Sequence, residues 1–308
     1  MSQAVLKLSM LQIEEMKNHY RSQLTDKNPP GSIFSAKTNN CTITAYKSGK
    51  VLFQGAGSES EAGRWGKPVE KTAGRPEKEM TSRLPANFAN LSVVGSDEVG
   101  TGDYFGPITV VAAYVNKTQI PLLKELGVKD SKNLKDDKIA EIAKQIKDIV
   151  PHSLLTLHNE KYNQLQQRGM SQGKIKALLH NQAIGHVLGK INPEKPEAIL
   201  IDEFAKREVY YQYLRGESVI HRENVYFSTK AEGVHLAVAA ASIIARYAFV
   251  QHFENLSKRA GFSIPKGAGP GVDKAAARLI LENGESVLPQ FVKLHFANTD
   301  KALKIIKK

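Results

Sequence analysis

The chain has 308 residues, 41% of them hydrophobic and 24% charged, and a formal net charge of +12 at pH 7. That composition excludes a collagen, a coiled-coil rod and a wholly disordered chain, and the length predicts about two domains. Its one cysteine, Cys41, excludes an intramolecular disulfide and fits a reducing compartment.

The stretch nearest to a membrane span, Gly233 to Val250, carries His235, Ser242 and Arg246, so a buried helix is expected there. Met1 to Met16 lacks the basic and apolar regions of a secretory signal, and the expected location is the cytoplasm. The basic excess is shared by the N-terminal 90 residues and the remainder. It suggests a polyanionic partner, nucleic acid before anionic membrane; plain solubility is the competing explanation.

Ala4–Lys7 reads as a short strand. A helix follows, with Ser9 as N-cap, Gln12 completing a capping box, and Leu8 and Ile13 as the hydrophobic staple. Met10, Ile13, Met16 and Tyr20 keep the helical period until Asn28-Pro29-Pro30-Gly31 stops it. Strands are predicted over 32–37, 41–46 and 51–54, with turns at Asn39-Asn40 and Ser48-Gly49. In the middle strand Ile43 and Ala45 face the helix, which leaves Thr42, Thr44 and Tyr46 on an open polar face. This β-α-β-β-β order is sufficient for a binding module; a stability appendage is the alternative. Gly55 to Asn90 has linker composition, interrupted by Trp65, which is expected to pack on the larger domain. The domains are therefore set at 1–65, a 66–90 linker, and 91–308.

In the second unit, strands are predicted over 91–96, 108–115, 198–202 and 225–228, and helices over 135–150, 171–189, 234–253 and 273–282. The third helix is apolar on most sides and belongs in the core. The lysine-rich tail, 301–308, reads as a solvated or frayed end. Gly100-x-Gly102 with Gly106 is not a dinucleotide loop. It leads into the strand-like Ile108–Ala113, whereas a pyrophosphate loop must open a helix. Strand, glycine turn, strand is a hairpin, whose glycines permit positive φ or close approach by a ligand.

Four acids stand at the ends of apolar elements: Asp97, Glu98, Asp202 and Glu232. Three of them have a bland explanation. Asp97-Glu98 can be a solvated strand end, and neighbours on a strand face opposite ways unless the glycine turn bends the chain. Glu232 precedes a helix, where its charge suits the dipole. Asp202 closes a buried strand, which is costly for an unpaired carboxylate. Together, without cysteine or a histidine cluster, they select hard cations, Mg²⁺ or Mn²⁺. Two such ions would suit phosphodiester displacement on a nucleic acid.

The run Ser96-Asp97-Glu98-Val99-Gly100-Thr101-Gly102-Asp103-Tyr104-Phe105-Gly106-Pro107 resembles the active-site hairpin of the type 2 ribonucleases H. Asp130-Ser131-Lys132 is similar to that family's D-S-K motif, and Ile201-Asp202 to the segment carrying its third acid. Glu232, with the alanine-rich Val238–Arg246 after it, is similar to its fourth acid and following helix. Thr101 between the glycines, in place of arginine, and Glu232 in place of aspartate point within that family to the ribonuclease HIII group. The N-terminal module, similar to half of a TATA-binding-protein-like fold, points the same way.

The resemblance implies an α/β ribonuclease H-like catalytic domain, a mixed sheet flanked by helices, with a small N-terminal α+β domain that adds substrate affinity. It implies endonucleolytic cleavage of the RNA strand of RNA/DNA hybrids, leaving 3′-hydroxyl and 5′-phosphate ends. Asp97 would bridge two Mg²⁺ or Mn²⁺ ions, with Glu98, Asp202 and Glu232 completing the shells and water as the nucleophile. The Gly100, Thr101 and Gly102 backbone would lie in the minor groove, where the 2′-hydroxyl marks RNA. Lys132 would contact phosphate, and Lys266 is a second phosphate candidate. His295 would assist proton transfer, although a lone histidine is more often structural. The missing arginine argues against efficient incision at a single ribonucleotide in DNA. A monomer without an obligate protein partner or membrane is expected. The competing classes are a ribonuclease HII-like enzyme, a non-catalytic hybrid-binding protein and a Mg²⁺-dependent phosphotransferase.

Overall fold

Ser9 starts the first helix as its spacing predicts: its hydroxyl accepts the Gln12 N–H, and the Gln12 side chain accepts the Ser9 N–H at 3.0 Å. The computed structural model describes residues 3–25, 29, 31–66 and 84–307. These fall into two units, Met1–Thr81 and Ser82–Lys308. The first contains β1 (Gln3–Lys7), α1 (Met10–His19), β2 (Ser32–Lys37), β3 (Thr42–Tyr46), β4 (Lys50–Gln54) and α2 (Ser58–Gly63). Its four strands form an antiparallel sheet in the order β1-β4-β3-β2. Ile13 and Met16 of α1 pack on Ile43, Ala45, Val51 and Phe53, the apolar alternation of the sheet.

Three expectations change here. The second sheet face is not wholly open, because Ser35 and Thr44 are buried on it, their hydroxyl oxygens 3.4 Å apart. Lys7, Lys37 and Lys50 remain exposed on the sheet. Trp65 belongs to this unit: its indole N–H donates to the Tyr20 hydroxyl at 2.9 Å, and it packs against the same core. The compositional linker begins with a helix, α2, whose Ala62 is buried. Within the expected linker, 67–83 lie outside the described residues, and Leu84 and Phe88 pack into the core of the second unit. Asn28 and Pro30 of the expected helix stop also lie outside them.

The second unit begins with β5 (Val93–Val99) and β6 (Ile108–Val115), then α3 (Ile120–Glu125), α4 (Asp136–Ile149), β7 (His152–Leu157), α5 (Asn159–Gln167) and α6 (Gln172–Ile191). It continues through β8 (Ala198–Asp202), α7 (Arg207–Tyr213), β9 (Val225–Ser228), α8 (Leu236–Ala260), α9 (Pro270–Asn283), α10 (Leu288–Phe291) and α11 (Asn298–Ile306). The sheet order is β7-β6-β5-β8-β9. β5, β6 and β7 pair antiparallel, and β5, β8 and β9 pair parallel.

Strand alternation sorts the side chains onto two faces. Val93, Val111, Ala113 and Leu200 pack with α4 and α8; Val94, Val110, Ala112 and Ile201 pack with α6 and α7. α8 is long and apolar enough to cross a bilayer, but its residues from Ala237 to Ala245 lie in the core between the sheet and α4. Its first turn rests directly on β5 at Gly95. A Cβ there would stand 2.3 Å from the Val238 nitrogen, so only glycine lets the helix come so close. The tail is not frayed: residues 298–306 form α11, with Ala302 buried and Ile306 against the third core cluster. Lys308 lies outside the described residues.

Candidate active site

The parallel ladder between β5 and β8 ends at Ser96 opposite Ile201. Asp97 and Asp202 are the next residues along each strand, where neighbouring strands stop pairing and leave a crevice. Both share the parity of Val93 and Leu200, and so face α8. Glu232 arrives on the same side, on the short turn Ala231–Gly233 that leads into α8. Glu98 has the opposite parity and faces α6. Asp97 and Glu98 therefore end on opposite faces of the sheet at the same edge, without a bend in the strand.

On the α8 side the acids are held by peptide and hydroxyl groups. Asp97 accepts the Glu98 N–H at 2.8 Å and a hydrogen bond from Ser242. Asp202 accepts the Ala231 N–H at 2.8 Å. Glu232 accepts the Ser131 N–H at 2.9 Å and pairs with the Lys132 ammonium at 3.2 Å. Burial pushes Asp97 up to about 8; Ser242 opposes the rise, and the charges of Glu98, Asp202 and Glu232 add to it. Burial also raises Asp202, with the Ala231 N–H opposing. This is a buried cluster short of positive charge.

On the α6 side the compensation is complete. Both oxygens of Glu98 are taken, Oε1 by Lys176 Nζ at 2.7 Å and Oε2 by His180 Nε2 at 2.8 Å. Burial alone would raise this carboxyl, but His180 and Lys176 outweigh it and bring it down to about 2. His180 Nδ1 stands 2.6 Å from Ser96 Oγ, and the Lys176 ammonium lies 4.2 Å from the centre of the Phe204 ring. With the outer acids so engaged, no three metal-ligating side chains are grouped around one point among the described residues.

The D-S-K loop is a bracket for Glu232. Asp130 caps the Lys132 N–H at 2.9 Å, Ser131 Oγ meets Ser242 Oγ at 2.9 Å, and Arg246 donates to Ser131 O at 2.6 Å. Lys132 reaches the acid cluster while its side chain stays 70% exposed. Lys266 does not stand free for phosphate: Asp136 binds it at 2.7 Å and Arg246 at 2.7 Å. His295 meets Tyr162 Oη at 3.4 Å and the Phe296 ring, and touches none of the four acids. At the hairpin, Gly100 has φ +95°, and a Cβ there would stand 2.2 Å from Pro107 O. Gly102 is exposed, with nothing within 4 Å of its would-be Cβ, and Thr101 O accepts from Gln172 at 3.1 Å.

Sequence reading missed Lys176 and His180, and named Ser131, Ser242 and Arg246 only as members of motifs, without a role. The one available signal was Lys176 and His180, four apart and therefore on one face of α6.

The donor chemistry of the four acids is all oxygen; Ser96, whose hydroxyl meets His180, is fully buried and donates to Val111 O, so it is not presented to a substrate. On this mixed sheet, with acids arriving from both faces at the carboxyl ends of its central strands, that chemistry defines a hydrolase of the ribonuclease H class. Comparison with known proteins narrows it. A family model described as Ribonuclease HII matches residues 94–299, and one described as a domain of unknown function (DUF3378) matches 3–78. The ribonuclease HIII of Bacillus mycoides is 58% identical over 307 residues, covering 99% of this chain and 98% of the relative. That of Bacillus subtilis is 58% identical over 312 residues, covering 100% and 99%. The crystal structure of Bst-RNase HIII in complex with Mn²⁺ superposes with a TM-score of 0.70 at 48% identity, over 99% of both chains. The chain belongs to the ribonuclease HIII family.

Proposed function

We propose that the chain cleaves the RNA strand of RNA/DNA hybrids, leaving 3′-hydroxyl and 5′-phosphate ends. Asp97, Glu98, Asp202 and Glu232 would hold Mg²⁺ or Mn²⁺, two ions in the active complex. The observation that carries this reading is the convergence of the acids from separate elements on a crevice where Asp97, Asp202 and Glu232 share one lysine, Lys132, with Asp97 pushed up to about 8 by burial and its acid neighbours. A hard divalent cation is what such oxygen donors fit. Bound there, the ions supply Lewis-acid polarisation of the scissile phosphate and stabilise the charge that develops on it. Ser131 and Ser242 orient the acids on the α8 side, and Lys132 extends from Glu232 toward solvent, where a backbone phosphate can reach it.

The hairpin backbone at Gly100, Thr101 and Gly102 would read the sugar edge of the RNA strand. Position 102 is open, with nothing within 4 Å of a would-be Cβ, so a ligand can approach the backbone closely there. Residues 1–65 would add affinity through Lys7, Lys37 and Lys50 on the sheet. Two cavities, of about 130 and 600 Å³, include none of the four acids. The enzyme would act in the cytoplasm, as a monomer without an obligate partner.

The test is a denaturing gel of end-labelled hybrid with Mg²⁺, Mn²⁺ or EDTA, beside a duplex carrying one ribonucleotide. Metal-dependent cutting of the hybrid, with the single ribonucleotide largely spared, supports the reading. Equal cutting of both moves the activity toward that of ribonuclease HII, and no cutting with binding intact leaves a hybrid-binding protein. With Lys7, Lys37 and Lys50 changed to Glu, KM should rise roughly tenfold with kcat retained, from lost phosphate neutralisation. An unchanged KM removes the N-terminal unit from substrate binding.

A further inference from the structure

Lys293 is a fully buried lysine whose side-chain partners are carbonyls. It is 0% exposed, and its ammonium donates to Asp103 O at 2.8 Å and Gly106 O at 2.6 Å. Asp103 Oδ1 accepts the Gly267 N–H at 2.6 Å. Burial pushes the Lys293 ammonium down to about 7, with Asp103 opposing. A buried ammonium is costly, and an apolar side chain of similar length fills such a site without that cost. The cost makes sense only if holding those two carbonyls matters.

The two carbonyls bracket Tyr104-Phe105, both fully buried, at the base of the glycine hairpin. The same segment grips the hairpin by its backbone: the Lys293 N–H donates to Tyr104 O at 2.9 Å, and the Gly106 N–H to Phe291 O at 3.0 Å. Asn159 shares Gly106 O at 2.9 Å. Beyond this base Gly100 is buried against Pro107 and Phe249, while Thr101 is half-buried and Gly102 is exposed, on the turn assigned above to the RNA sugar edge. A backbone that reads one hydroxyl by hydrogen bonding must be rigid, because a loop that can relax also accepts the sugar lacking it.

We propose that Lys293 is a positioning residue for substrate reading: by clamping the carbonyls of Asp103 and Gly106, it fixes the hairpin tip that distinguishes ribose from deoxyribose. This rests on the hairpin being the minor-groove reader. Lys293 touches none of the four acids and acts through the hairpin alone.

The experiment compares the full-length chain with its Lys293→Met variant on a hybrid series in which a single 2′-deoxynucleotide is stepped through the positions around the cleaved bond. Melting temperature and Mn²⁺ binding by calorimetry are read in parallel. The native chain should show a deoxy penalty at one or two positions. In Lys293→Met that penalty should shrink by on the order of tenfold, and KM should rise by about as much. kcat on all-RNA hybrid should stay within about threefold, because misplacing a reader costs orientation rather than chemistry. Mn²⁺ affinity should be unchanged. If the native chain shows no penalty anywhere, the reading of the hairpin fails and the proposal falls with it. If the native penalty is present and Lys293→Met keeps it, the proposal alone is overturned. Should Lys293→Met not fold, Lys293→Gln takes its place: its side chain is too short to reach both carbonyls as the ammonium does, and it leaves no charge to bury. A flattened penalty with native-like melting supports the proposal. An unchanged penalty, or failure of both variants to fold, overturns it and makes Lys293 an element of stability.

Discussion

Asp97 and Glu98 are adjacent on β5, yet the two faces of the sheet treat them in opposite ways. On the α8 face, Asp97 is surrounded by peptide N–H groups, hydroxyls and other acids, and burial with those neighbours lifts it to about 8. On the α6 face, Glu98 meets an ammonium and an imidazole within 2.8 Å, and these take it down to about 2 despite its burial. Strand alternation alone produces this division. One face contributes carboxylates that share a single lysine, and the other contributes a carboxylate already matched by an ammonium and an imidazole. The site is thus electrostatically unfinished on one side only.

Neutralising each acid in turn should break or sustain that contrast, and gives the largest effects. Asp97→Asn should lower cleavage by on the order of 10³-fold while hybrid binding persists, since it removes an electrostatic group from the reacting centre and leaves the basic surface. In EDTA it should also raise thermal stability, by about 2 kcal/mol, because folding no longer has to protonate a buried carboxyl, or bury its charge, beside three other acids. Glu98→Gln should do the reverse to stability, costing about 3 kcal/mol, because it leaves the buried Lys176 without its counter-charge. Melting curves of the two variants in EDTA decide the matter: shifts of the same sign would mean that the faces do not differ.

A second test lies at the start of α8. His235 caps this helix by accepting the Ala237 N–H on Nδ1 at 3.0 Å, and its Nε2 donates to Leu91 O at 3.1 Å. That pattern requires the neutral ring, and burial holds its pKa down to about 4, with the Leu91 carbonyl opposing, against an ordinary value of 6.5. The unfolded chain therefore binds a proton as pH falls through 6.5, while the folded chain does not until about 4. Stability should decline across that window by about 3 kcal/mol. His235→Asn keeps a capping oxygen and cannot titrate. The native-minus-variant stability difference, from urea unfolding at pH 7 and pH 4.5, should shrink or reverse at the lower pH. A difference that is constant with pH would show that His235 does not carry the effect.

Much of this site was legible because the chain announces it: acids at the ends of apolar strands, an ordered set of motifs, and an alanine-rich helix apolar on most sides. The strands 108–115, 198–202 and 225–228 fall where their apolar runs predict. What escaped reading was made by tertiary contact. α5 was missed because its sequence is polar; it is held by Tyr162 and by two buried asparagines, Asn159 and Asn163, whose amides bind main-chain carbonyls. Hydrophobic periodicity has no means of seeing a buried asparagine. Lys266, a phosphate candidate by resemblance, is paired with Asp136, a partner distant in sequence that the motif does not announce. The alternation rule was right that Asp97 and Glu98 diverge, and missed only that a site can lie across the edge between faces. Lys176 and His180 carried a spacing signal, but nothing in the sequence says that α6 packs against β5.

Lys176 therefore gives the smallest and sharpest test of the comparison. Its ammonium occupies Glu98 Oε1 at 2.7 Å, with both side chains 12% exposed or less. A cation approaching the acids meets Lys176 as a like charge and as a competitor for that oxygen. Removing it in Lys176→Met leaves His180 to hold Oε2 and makes the region more negative by one charge. At the separations of adjoining side chains and a partly screened interior, this should tighten Mn²⁺ binding by about tenfold. Calorimetric titration of Mn²⁺ into the metal-free protein measures this without reference to turnover. kcat should fall at the same time, by about tenfold, because groups that orient a ligating carboxylate typically matter at that scale. Tighter binding with slower cleavage would mean that the matched face restrains the metal for the sake of geometry. Weaker binding would mean that Lys176 holds Glu98 ready to ligate, and that the two faces cooperate where the contrast between them predicts competition.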